Sequence, residues 1–133
     1  MKEIIHITNP SNCMPLITPI KNRKQENFGV ILLNGCHDVI GNKVLFKGGL
    51  NRCLIDPRLV FHYALKHLAC AMVVYHNHPS GNCQPSEDDI NMTEKLKQAG
   101  EIVGIQVLDH IIIPKYGYDE YFSFLEHDLV LSK

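Results

Sequence analysis

The sequence predicts an α/β fold, a mixed β-sheet flanked by helices, and three observations carry that prediction. Residues 28–33 (FGVILL) and 71–75 (AMVVY) are short, continuously apolar runs, the pattern of strands covered on both faces. Helix starts at Asp56-Pro57 and at Ser86 alternate with those runs, as in a sheet built with parallel crossovers. Asn34-Gly35 ends the first run with a hairpin signal, which adds an antiparallel pair.

Taken in order, residues 1–10 have weak periodicity, and Ile4, Ile5 and Ile7 fit a short edge strand or a loose arm equally well. Asn9-Pro10-Ser11 predicts a helix start with Ser11 as N-cap and Met14, Leu16, Ile17 and Ile20 as apolar contacts; Pro15 and Pro19 limit it to a turn or two. After the strand at 28–33, its hairpin partner spans 39–47, interrupted by Gly41-Asn42. The helix from Asp56 turns Leu59, Val60, Tyr63, Ala64 and Leu68 inward and Arg58, His62, Lys66 and His67 outward. A second helix runs from Ser86 to about Ala99, with Ile90, Leu96 and Ala99 facing inward and Gly100 as its stop. Residues 102–108 and 111–113 then read as strands separated by Asp109-His110, with Pro114 and Gly117 closing the run. Residues 121–124 form a short last strand, and 126–133 a polar tail, helical or frayed. Three segments result: an arm at 1–24, one domain at 25–125, and the tail.

Composition narrows the function classes. At 133 residues, 45% hydrophobic and 20% charged, the chain has the size and make-up of one soluble globular domain. No run reaches the length of a membrane span and the first residues lack the apolar core of a signal peptide, so the expected location is the cytoplasm. The five cysteines, Cys13, Cys36, Cys53, Cys70 and Cys83, are odd in number and form no Cys-x-x-Cys pair, the pattern of free thiols. Cys83 lies between His78 and Asp89 without matching a known ligand spacing. A formal charge of -1 argues against a nucleic-acid surface, and Lys21-Asn22-Arg23-Lys24, the one local basic cluster, reads as a solvated turn.

The chemistry gathers at the end of the run at 71–75. His76 and His78 are alternate residues of an extended segment, so both imidazoles point the same way. Pro79, Gly81 and Pro85 turn the chain, Ser86 caps the next helix, and Asp89 returns a carboxylate in its first turn. Two histidines and one carboxylate leave one position open, the ligand count of a catalytic zinc site. Ser86-x-x-Asp89 is equally an ordinary capping box. His62 and His67, five residues apart around the inward Tyr63, read as surface residues.

His76-x-His78, seven residues, Ser86, two residues, Asp89 has the spacing of the JAMM (MPN-plus) metallohydrolase signature. The fuller string His76-Asn77-His78-Pro79-Ser80-Gly81, with Pro85-Ser86 and Asp89 after it, resembles the RadC family in particular. So do Phe46-Lys47-Gly48-Gly49-Leu50-Asn51, Asp56-Pro57-Arg58 and Leu108-Asp109-His110. The resemblance implies a single JAMM/MPN-like (cytidine deaminase-like) domain with one Zn2+ on His76, His78 and Asp89. It also implies a general base upstream of the histidines, a place that Glu26 fills in Glu26-Asn27-Phe28. Ser86 would donate to the developing oxyanion, and Asp109 and His110 would hold a ligand imidazole from behind.

The function expected is zinc-dependent hydrolysis of amide bonds in a peptide or protein substrate, by a water that the metal activates. The alternative is a DNA-linked accessory factor, because RadC-like proteins are traditionally labelled as DNA repair proteins. Longer members carry a helix-hairpin-helix module for which this sequence has no room. A metal-binding scaffold without turnover is a third reading, which Glu26 and Ser86 oppose. The letters His-Asn-His do not make an HNH nuclease, whose named residues lie far apart in sequence.

Overall fold

Strand alternation decides the layering. The computed structural model describes residues 3–48, 55–115 and 120–132. In β1 (Asn27–Leu33), Phe28, Val30 and Leu32 join one apolar cluster, while Ile31 and Leu33 join another on the opposite face. β3 (Ala71–His78) divides in the same way, Met72 and Val74 against Ala71, Val73 and Tyr75. Each face therefore needs a cover.

α2 (Pro57–Lys66) and α3 (Glu87–Val103) cover the first face with Val60, Phe61, Ala64 and Leu96. The N-terminal segment covers the second: a 3-10 turn at Pro10–Cys13, α1 (Met14–Ile17) and a 3-10 turn at Thr18–Ile20 bury Cys13, Ile17 and Ile20. Leu131 is also buried, so part of the tail packs into the core. No helix among the described residues is long and apolar enough to cross a membrane.

The sheet is mixed, in the order β2-β1-β3-β4-β5, with β2 at Val39–Lys47, β4 at Gln106–Pro114 and β5 at Phe122–Ser123. β1 is antiparallel to both β2 and β3, and β3 and β4 are parallel. The crossover through α2 thus joins two strands of one direction across β1, and the crossover through α3 joins neighbours. Both start from the end of the sheet where His76 and His78 sit and return the chain to the opposite end, where Ala71 pairs with Gln106.

Five expectations give way. Asn9, not Ser11, is the N-cap of the first turn, and its N–H donates to the Asn12 side chain. α2 stops at Lys66, two residues short of Leu68, because Leu68 takes a left-handed φ of 51° and lies 82% exposed; Leu59 is exposed as well. α3 runs through Gly100 to Val103 and is capped by Gly104 at φ 88°. Gly100 is there because a Cβ would collide with the Ile105 carbonyl oxygen. Asp109 and His110 do not separate two strands: both lie buried within β4, where a register shift beside Val73 admits them. The last strand is Phe122–Ser123 alone, followed by turns. Gly49, Leu50, Asn51, Cys53 and Gly117 lie outside the described residues.

Candidate metal centre

β3 carries His76 and His78 on the face that looks toward α3, and the loop between them and α3 is short and well tied. Gly81, at φ 87°, donates its N–H to the His78 carbonyl, and the Asn82 carbonyl meets His78 Nδ1 at 2.6 Å. Because a carbonyl only accepts, the neutral His78 ring carries its proton on Nδ1, and it is then Nε2 that can offer a lone pair to an ion. Ser86 then caps α3. Its Oγ accepts the Asp89 N–H at 3.0 Å, and its N–H donates to Asp89 Oδ2 at 2.9 Å, so the capping box aims the carboxylate.

Three ligand atoms converge as a result. His76 Nε2 and His78 Nε2 stand 2.8 Å apart, with Asp89 Oδ1 3.4 Å from the first and Oδ2 3.2 Å from the second. Among the described residues, His76, His78 and Asp89 form a group able to hold a metal ion. Ligands about 2.0 to 2.1 Å from a tetrahedral zinc stand roughly 3.4 Å from one another. Both carboxylate contacts fit that figure, and the two imidazoles need to part by only about 0.5 Å.

The electrostatics are those of a cation site. Burial alone would raise the Asp89 carboxyl, yet the hydrogen bonds to His76 and His78 outweigh it and hold the group well below the usual carboxylate range. Burial pulls the His78 imidazole down, but the Asp89 hydrogen bond, the Asn82 carbonyl and the charges of Asp89 and Glu26 overcome it and raise its pKa. Glu26, at the mouth of β1, is the weakest of those contributors to the His78 shift. Its carbonyl accepts from Gly48, which ties it to the end of β2.

His110 and Asp109 part company. His110 projects to the histidine side, where its Nε2 lies 2.8 Å from His76 Nδ1 and its ring stacks on Phe124. Full burial, followed by the neighbouring His76 charge, lowers its pKa well below the ordinary value. Asp109 faces the N-terminal layer and touches no ligand imidazole: it accepts from the His110 and Leu125 N–H groups and from Ser123 Oγ. Burial pushes its carboxyl up to about 6 against those bonds. Cys83 packs against the core and is not among the convergent ligands. His62 on α2 and His67 at its C-cap are exposed.

Two residues join the site without having been singled out. Thr93, one helical turn after Asp89, has its hydroxyl 2.6 Å from His110 Nδ1; the spacing to Asp89 was the available signal, but Thr reads as helix filler. Asn77, completely buried, points away from its histidine neighbours. Its Oδ1 accepts the Asn27 N–H at 2.6 Å and its Nδ2 donates to the Gln25 carbonyl at 3.0 Å, clamping the backbone on both sides of Glu26.

A family model described as the RadC-like JAB domain matches residues 7–129. The chain is 46% identical over 125 residues to a UPF0758 protein of Staphylococcus haemolyticus, covering 93% of this chain and 54% of that one. It is 42% identical over 112 residues to a UPF0758 protein of Streptococcus gordonii, with 84% and 48% covered. A UPF0758 protein of Methanospirillum hungatei is 43% identical over 116 residues, with 86% and 52% covered. The chain thus spans about half the length of the curated relatives it matches. With the family model matching nearly end to end and relatives this similar, the chain belongs to the RadC family and is a JAB/MPN-like domain.

Proposed function

We propose that this domain is a zinc-dependent hydrolase of amide bonds in a peptide or protein, with His76, His78 and Asp89 as ligands. The observation that carries the reading is the convergence of those three donors, within 4.8 Å of one another. Two imidazoles and a carboxylate held this close in a largely buried place are the donor set that suits a cation. A bound zinc ion supplies a Lewis acid that makes water reactive near neutral pH.

The side chains supply the rest. Glu26 takes the proton that water loses as its oxygen adds to the carbonyl carbon, and returns it to the amine nitrogen as the C–N bond breaks. Ser86 Oγ, while accepting from the Asp89 N–H, still has a hydrogen of its own to donate to the developing oxyanion.

The test is a peptide-library digest with zinc-loaded protein, run beside binding to duplex DNA at several salt concentrations. Cleavage that disappears in Glu26→Gln, with zinc content unchanged, is the expected result. Steeply salt-dependent DNA binding with no cleavage would favour the DNA-linked reading instead.

A further inference from the structure

We infer that Thr93, acting through His110, is a positioning residue that sets the proton on His76 and so keeps its Nε2 available as a ligand. The inference rests on the metal-site reading above.

Four polar groups form a chain. Thr93 Oγ1 lies 2.7 Å from the Asp89 carbonyl oxygen and 2.6 Å from His110 Nδ1, and His110 Nε2 lies 2.8 Å from His76 Nδ1. The carbonyl can only accept, so the Thr93 hydroxyl spends its one hydrogen there. Its oxygen then accepts from His110 Nδ1–H. His110 is completely buried, and its ring nitrogens meet a hydroxyl and another imidazole with no carboxylate, so the ring is neutral and carries one proton. With that proton on Nδ1, Nε2 accepts from His76 Nδ1–H, and the lone pair of His76 Nε2 points at the site.

The opposite proton order fails at one place. Were the Thr93 hydroxyl to donate to His110, the contact between Thr93 and the Asp89 carbonyl would hold two lone pairs and no hydrogen, and the relay would end with an N–H of His76 aimed at the cation. The chain also closes on itself: Asp89 anchors it through the backbone and faces His76 through the carboxylate, 3.4 Å away. One helical turn of α3 therefore fixes a ligand and the tautomer of its neighbour together. Thr93 is itself fully buried, as such a support should be.

Zinc affinity, measured by competition with a chromophoric chelator on the whole chain, tests this with Thr93→Val and Thr93→Ser. Thr93→Val removes the hydroxyl and nearly keeps the shape; a loss of roughly 10 to 100-fold in affinity is expected, with wild-type affinity restored in Thr93→Ser. In zinc-loaded wild type, two-bond 1H–15N correlation spectra should show His110 protonated on Nδ1, which is independent of any variant. Wild type that binds zinc while Thr93→Val binds equally well, or His110 protonated on Nε2, would overturn the relay alone. Wild type that binds no zinc would overturn the metal-site reading with it.

Discussion

Asn77 Oδ1 receives the Asn27 backbone N–H at 2.6 Å, so the residue between the two candidate ligands also holds the strand entry that carries Glu26. The register agrees, since Phe28 pairs with His76 across β1 and β3. The candidate ligands and the proposed base are thereby held by one residue. In Asn77→Ala the zinc content should stay at the wild-type value while turnover falls on the order of 100-fold, the scale of a misplacement of about 1 Å. Metal analysis beside kinetics checks it, and unchanged turnover would show that Glu26 is placed by something else.

Ser86 has two roles that a pair of variants separates. Ser86→Ala should cost about 1 kcal/mol of stability for the lost cap, whereas Ser86→Gly should cost only a few tenths. Both should lower turnover by roughly 100 to 1,000-fold if the hydroxyl serves the oxyanion. Denaturant melts and rates on the same preparations decide it; a rate loss in Ser86→Ala that Ser86→Gly does not share would reduce Ser86 to a cap.

Asp109 makes stability depend on pH. Its carboxyl is raised from 3.8 to about 6 by burial, so the folded chain holds a proton that the unfolded chain releases between those values. The stabilisation is complete below the unfolded value and is lost as pH rises through about 6, a change of up to roughly 3 kcal/mol. Asp109→Asn cannot titrate. Relative to that variant, the zinc-free wild type should lose stability between pH 4 and pH 7.5, and a constant difference between the two melts would contradict this.

Gly100→Ala sets two principles against each other. Helix propensity favours alanine by about 1 kcal/mol, but the added Cβ meets the Ile105 carbonyl, a backbone atom that cannot swing aside. The collision should win. The variant is expected to be less stable by about 1 to 3 kcal/mol, and a rise in melting temperature would show that the chain after α3 yields.

Much of this was legible in the sequence because short-range chemistry controls it. The apolar runs became β1 and β3, Asp56-Pro57 and Ser86 started α2 and α3, and the spacing of His76, His78, Ser86 and Asp89 translated into one converging group. What misled was local signal overridden by distant contacts. Gly100 looked like a helix stop but answers to Ile105, and Asp109-His110 looked like a break in a strand. In the fold each finds buried partners, Ser123 and Leu125 for one and Thr93 and His76 for the other. Asn77 and Thr93 were illegible because their partners lie fifty and seventeen residues away in sequence.

Zinc stoichiometry by calorimetric titration of the metal-free chain reads the converging donors most directly. One zinc per chain is expected for the wild type, with binding abolished in His76→Ala, His78→Ala and Asp89→Ala. A wild-type chain that takes up no zinc, or that takes up as much as His78→Ala does, would mean that these three side chains meet for some purpose other than holding a cation.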